Sequence, residues 1–264
     1  MRESHTIRRR RWLRFSLRSV LLIIAIVAVP LGWKANRVLN QRRVVAEIER
    51  LGGALSYDGV GDARRADHSS SLHLAEWLRL GDCDSSSQII EVTVASNELT
   101  DATLGHIAQM PKLETLFLNS NTVTDDGFKS LAGARRLRSL CFLSTSLTDS
   151  GLVRLPEMEA LRELNLCRSR ITDSGLKTIA GLSQLTSLGI SEARITDAGM
   201  ACVGKLKNLR QLDIADTAVT DVGLSEVLSL SQLTAIDLTH TAVTHSGVEQ
   251  LHRALPGCRI TWPQ

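Results

Sequence analysis

The sequence predicts an α/β solenoid, with a parallel sheet on its concave face, short helices on its convex face and a transmembrane helix before them. Two observations predict the solenoid. Thr-Asp recurs at Thr100-Asp101, Thr124-Asp125, Thr148-Asp149, Thr172-Asp173, Thr196-Asp197 and Thr220-Asp221, every 24 residues, and a seventh copy reads Thr244-His245. Apolar columns keep the same period: Leu116, Leu140, Leu164, Leu188, Leu212 and Ile236 form one, and Leu118, Phe142, Leu166, Ile190, Ile214 and Leu238 another. A fixed period of this length marks units that stack only on their neighbours. The transmembrane helix rests on a third observation, the uncharged run Ser19–Trp33 near the N-terminus.

Residues 1–18 read as a basic cytoplasmic tail, with Arg2, Arg8, Arg9, Arg10, Arg11, Arg14 and Arg18. Residues 19–33 are short for a span. Counted from Trp12 to Trp33 the segment reaches 22 residues, within the range a bilayer needs. Arg14 and Arg18 can snorkel, and a Trp stands at each interface. The other reading is a signal-peptide core cleaved after Ala28. The lack of a polar stretch before that site and the closeness of Pro30 favour an uncleaved anchor. The stronger positive flank precedes the span, so the tail is expected in the cytoplasm and the repeats on the periplasmic or extracellular side.

Residues 34–53 are expected to hold a juxtamembrane helix over 36–51, from the spacing of Val44, Ile48 and Leu51, ended by Gly52-Gly53. Residues 54–88 are the expected N-terminal cap, which covers the apolar end of the first repeat. Within it Ala54–Tyr57 reads as a strand and 72–80 as a short helix. Residues 89–264 form the repeat domain, with seven 24-residue repeats and a terminal strand. In each unit the pair Leu116 and Leu118 share one face of a strand. After Thr124-Asp125 the spacing of Phe128, Leu131 and Ala132 becomes helical. The Thr or the Asp can cap that helix. Trp262 reads as a lid on the last strand.

These columns follow L-x-x-L-x-L-x-x-N/T-x-I/V-T-D-x-G-L over residues 89–262 and resemble the leucine-rich repeat. In that family an Asn usually bonds turn backbone of the neighbouring coil. Here the column runs Asn97, Asn121, Thr145, Ser169, Ala193, Thr217 and Thr241. The order of the segments resembles single-pass membrane-anchored leucine-rich-repeat proteins of planctomycete-type bacteria, which implies an envelope location and no enzymatic activity. The Thr-Asp-x-Gly-Leu units are also similar to those of F-box ubiquitin-ligase receptors, but no F-box-like helical domain precedes them.

Charge separates the two regions. Residues 1–50 hold 12 Lys and Arg against 3 Asp and Glu, and residues 51–264 hold 19 against 25. A mildly acidic repeat domain argues against nucleic acid, whose phosphates need clustered cations. The five cysteines, Cys83, Cys141, Cys167, Cys202 and Cys258, include no C-x-x-C pair. Cys141 and Cys167, both assigned to the concave side, sit diagonally on adjacent strands, too far apart for an unstrained disulfide.

The alternation of the strands turns Phe117, Asn119, Cys141, Leu143, Asn165, Arg168, Asp213, Asp216, Asp237 and His240 to the concave side. Phe117, Cys141 and Leu143 make an apolar patch suited to affinity. Asp213, Asp216, Asp237 and His240 make an acidic patch suited to basic partners. A Ca²⁺ bridged by Asp213 and Asp237 would have too few ligands. Cys141 has no histidine on a neighbouring strand to activate it. No phosphate loop, H-E-x-x-H or G-x-S-x-G is present. The expected function is a non-catalytic, membrane-tethered module that binds a protein partner, with no cofactor, metal or nucleic acid. The alternatives are a self-associating envelope element and a secreted binder.

Overall fold

The computed structural model describes residues 42–58 and 89–263, all within the unit Gln41–Gln264. The expected anchor Trp12–Trp33, residues 34–41 and the cap helix expected over 72–80 lie outside the described residues. Among the described residues no helix is long and apolar enough to cross a membrane.

Among the described residues nine strands form one sheet in sequence order: β1 (Ala54–Tyr57), β2 (Ile89–Ala95), β3 (Thr115–Asn119), β4 (Ser139–Leu143), β5 (Glu163–Asn165), β6 (Ser187–Gly189), β7 (Gln211–Asp213), β8 (Ala235–Asp237) and β9 (Arg259–Thr261). From β2 onward every pairing is parallel and in 24-residue register, with Leu116 opposite Leu140 and Leu140 opposite Leu164. That register stacks the apolar columns into one continuous core. Leu116, Leu140, Leu164, Leu188, Leu212 and Ile236 are all buried, as are Leu118, Phe142, Leu166, Ile190, Ile214 and Leu238. Phe128 meets Phe142 edge to face at 5.1 Å, a favoured aromatic geometry.

Three of the short strands end at an Asn or Asp in the centre of the concave face, while β6, with Gly189 there, is equally short. In β5, β7 and β8 the third residue is Asn165, Asp213 or Asp237. Each side-chain Oδ1 accepts the amide two residues on, from Cys167 (3.0 Å), Ala215 (3.1 Å) and Thr239 (2.9 Å). Such a bond turns the chain, and these strands stop after three residues. Phe117 and Cys141 hold the same position in β3 and β4, cannot make that bond, and the strands run to five.

On the convex side a threonine caps five of the helices, while Thr244 before His245–Ala254 makes no side-chain cap. Thr100, Thr124, Thr172, Thr196 and Thr220 have extended backbones and accept a first-turn amide through their hydroxyls. The unit after Thr148 departs from the expected α-helix. Gly151–Glu157 is a 3-10 helix, and Pro156 within it has no amide to give an α-helical bond.

Both ends are covered. A helix over 42–50 buries Val44, Ile48 and Leu51 in the repeat core, so the expected juxtamembrane helix also caps the first coil. It ends as Gly52-Gly53 predict. Gly52 lies at φ +70°, the Gly53 amide reaches Ile48 O (2.8 Å) and the Gly52 amide reaches Glu49 O (3.0 Å), the double closure of a Schellman motif. β1 then pairs antiparallel with β2. At the far end Trp262 is half-buried against the core, and its Nε1 donates to Val243 O at 3.2 Å.

Candidate functional site

The ten predicted residues fall into three rows that cross the strands. Phe117, Cys141, Asn165, Asp213 and Asp237 belong to the central row, Gly189 completes it between Asn165 and Asp213, and each is laterally paired with the next. Asn119 and Leu143 pair with each other at the ends of β3 and β4. Arg168, Asp216 and His240 stand in the turns after the strands, in a row with Ser144 and Glu192. All five of that row have φ between 54° and 58°. This left-handed region costs a side-chain-bearing residue about 1–2 kcal/mol.

The structure opens a groove of about 410 Å³ along the concave face from β4 to β9. Cys141, Asn165, Asp213 and Asp237 line it. Phe117, Asn119 and Leu143 lie beyond its β4 end, and Arg168, Asp216 and His240 lie on the turns beside it. Phe117, Cys141 and Leu143 are only half-exposed. Among the described residues the exposed large apolar side chains, Val153 and Val222, belong to the convex segments Gly151–Glu157 and Asp221–Ser225.

The charged residues are engaged with one another. Arg168 Nε donates to Glu192 at 2.7 Å, and His240 Nδ1 lies 3.0 Å from Asp216 Oδ1. Asp213 and Asp237 each spend one carboxylate oxygen on a turn amide. Among the described residues no group of three or more His, Cys, Asp and Glu is placed to hold a metal. Burial, then the neighbouring Cys167, pushes the Cys141 thiol up to about 11, so at neutral pH it stays protonated, the weakly nucleophilic form. Cys167 is buried, and its thiol lies 3.7 Å from Oδ2 of Asp213, a concave-face residue. The Asn165 turn ends the strand before Cys167, so the two-residue alternation no longer fixes its side.

Sequence reasoning missed two features. Arg259, Thr261 and Ala235 also line the groove, although the strand register already turned them outward. The second is the role of the aspartates after the capping threonines. Asp101 Oδ1 accepts the Thr124 amide (2.9 Å) and its Oδ2 accepts the Thr124 hydroxyl (2.6 Å). The same pair of bonds joins Asp125 to Thr148, Asp149 to Thr172, Asp173 to Thr196, Asp197 to Thr220 and Asp221 to Thr244. The aspartate binds coil to coil, and the 23-residue offset was the available signal.

The profile of the family described as Leucine Rich repeat matches residues 109–132, 160–180 and 205–228. No curated protein matches the sequence. Among solved structures, an internalin C2 from Listeria monocytogenes is similar, with a TM-score of 0.50 and 18% identity, over 66% of this chain and 81% of that one. At such identity the likeness is one of fold. The matched repeats and the solenoid fold are of the leucine-rich-repeat kind.

Proposed function

We propose that this chain is a non-catalytic binding module, tethered to a membrane by Trp12–Trp33, that holds a protein partner on its concave face at the cell envelope. The open groove carries the binding part of this reading. It is a broad surface of outward side chains on a sealed core, held rigid by coil-to-coil bonds, and rigid scaffolds suit recognition because little order is lost on binding. Phe117, Asn119, Cys141, Leu143, Asn165, Arg168, Asp213, Asp216, Asp237 and His240 form the proposed contact surface. The tether rests on the apolar run and its arginines.

A photo-crosslinking residue at Phe117 or Gln211, against one at Lys177 on helix Asp173–Ile179, tests the face in intact cells. A discrete adduct is expected from the two concave positions. An adduct from Lys177 alone assigns binding to the convex side. Carbonate washing of membranes tests the tether, and recovery of the full chain in the wash ends that part. A mature N-terminus near Val29 would make the protein a released binder.

Self-association is the second reading. β9 is the last strand of the sheet, and Ile260 and Trp262 remain half-exposed beside it. Exposed edges invite pairing with a second copy. Concentration-dependent sedimentation of the detergent-solubilised chain would favour it.

A further inference from the structure

We infer that the groove receives an extended, basic segment of a partner polypeptide, centred on β6 between the carboxylates of Glu163, Asp213 and Asp237. The inference rests on the concave-face reading above and names the chemistry of the partner.

β6 is the low strand of the sheet. Ser187 and Gly189 are its outward residues, flanked by Glu163 and Asn165 on β5 and by Gln211 and Asp213 on β7. Asn165 leans across the empty side-chain position of Gly189, where a Cβ would stand 2.9 Å from its Cγ. The floor is therefore shallow and walled by polar groups.

Charge then selects the occupant. Glu163, Asp213 and Asp237 line the groove against one cation, Arg259, at its β9 end. On the turns beside the groove Arg168 is paired with Glu192, and His240 with Asp216. The carboxylates keep capacity to accept: no described residue donates to Asp237 Oδ2, and only the Cys167 thiol, at 3.7 Å, reaches Asp213 Oδ2. Carboxylates facing one cleft, Asp213 and Asp237 half-buried and Glu163 exposed, draw cations to it and repel phosphates.

Length selects a chain over an ion. Five strand spacings of ~4.8 Å separate β4 from β9, about 24 Å, which an extended peptide covers with about seven residues. Carboxylates spread over β5, β7 and β8 suit several cationic side chains along such a segment, and are too dispersed for one ion.

The test is selection of heptapeptides from an unbiased display library on the immobilised full-length chain. Three variants accompany it. D213N/D237N removes charge and keeps the Oδ1 acceptors. S187W fills the floor and keeps charge. D126N/E226Q removes equal charge from the convex side. Melting curves confirm that each is folded. Lysine- and arginine-rich peptides should be enriched. Their affinity should fall tenfold or more in D213N/D237N and in S187W, and less than twofold in D126N/E226Q. Equal losses in D126N/E226Q would reduce the attraction to net charge and overturn the inference. Enrichment of acidic or apolar peptides that S187W displaces overturns it too, while leaving the concave face as the binding surface. Peptides indifferent to S187W, or no enrichment at all, would overturn both.

Discussion

Asp197 and Thr220 stand 23 residues apart, and one carboxylate accepts both the amide (2.8 Å) and the hydroxyl (2.7 Å) of the threonine. The Gly223 amide adds a third bond at 2.9 Å. The same threonine hydroxyl accepts the Val222 amide and so caps its own helix. Thr-Asp is thus a link between coils and a helix start at once. Removing the carboxylate leaves two amides and a hydroxyl without their partner in a partly buried place. Asp197→Ala is expected to cost about 2–4 kcal/mol by chemical denaturation, from unmade hydrogen bonds worth about 1–3 kcal/mol each where a group is left unsatisfied. A cost below about 0.5 kcal/mol, as for surface changes, would mean the ladder is decorative.

The glycine three residues after each threonine from Thr124 onward belongs to the same device. A Cβ on Gly223 would stand 2.9 Å from the Asp197 Cα and 3.0 Å from Met200 Cγ, and closer still to the carboxylate. Backbone cannot yield to it as a flexible side chain can. Gly223→Ala should cost about 1–3 kcal/mol, the range of overpacking. Gly133→Ala meets nothing within 4 Å and should be neutral or stabilise by up to about 1 kcal/mol, through the entropy of the unfolded chain. Equal effects in thermal melts would show that the close approach is not what selects glycine.

The spacing of Thr, Asp and Gly was legible in the sequence, and with it the strands, the core columns and the Schellman ending at Gly52-Gly53. What the Asp does was not, because its partners lie one coil away. With the ladder known, one exception makes sense. Thr103 replaces the glycine where no Thr-Asp pair stands 24 residues earlier. The concave face was less legible than the core. Alternation assigned Cys167 outward, and its thiol does reach Asp213, but alternation could not say that the residue is buried. Period alone also could not say that the groove runs past Gly189 and leaves out Phe117, since that depends on side-chain size across six strands.

Acid should loosen the solenoid through these aspartates. Burial alone would raise the Asp125 and Asp197 carboxyls, but the bonds from Ser150 and Thr148, and from Thr220 and Gly223, outweigh it and hold both below the ordinary range. A folded-state value below the unfolded one means the contribution is whole above the unfolded value, near 3.9, and is lost as pH falls through and below it. Melting temperatures between pH 7 and pH 2.5 should fall more steeply for the wild type than for Asp125→Asn/Asp197→Asn. Parallel slopes would assign acid lability to other groups.

Core and concave positions should separate in adjacent residues, though less widely than strand alternation alone implies. Leu164 is buried, and Leu164→Ala should cost about 2–5 kcal/mol. Asn165 faces outward, yet its Oδ1 holds the Cys167 amide. Asn165→Ala should therefore cost about 0.5–1.5 kcal/mol, and Asn165→Asp, which keeps the acceptor, less. Equal costs for Leu164→Ala and Asn165→Ala would place the strand one residue out of register.

The hydroxyl column beneath the turns gives the last contrast. Thr217 Oγ1 donates to Ile214 O at 2.6 Å, and Thr241 Oγ1 to Leu238 O at 2.7 Å. Thr145 and Ser169 are equally buried, but their hydroxyls have no partner among the described residues. A buried polar group without a bond costs free energy, whereas an apolar group of the same shape does not. Thr145→Val and Ser169→Ala are therefore expected to be neutral or to stabilise by up to about 1 kcal/mol, in the position where the family usually places an asparagine. Thr217→Val should destabilise by about 1 kcal/mol, because it breaks a made bond and leaves the Ile214 carbonyl short of a donor. The three variants differ only in whether the hydroxyl is used, so urea midpoints for all three decide the matter. A loss at Thr145 or Ser169 as large as that at Thr217 would show that a donor or acceptor reaches them in solution.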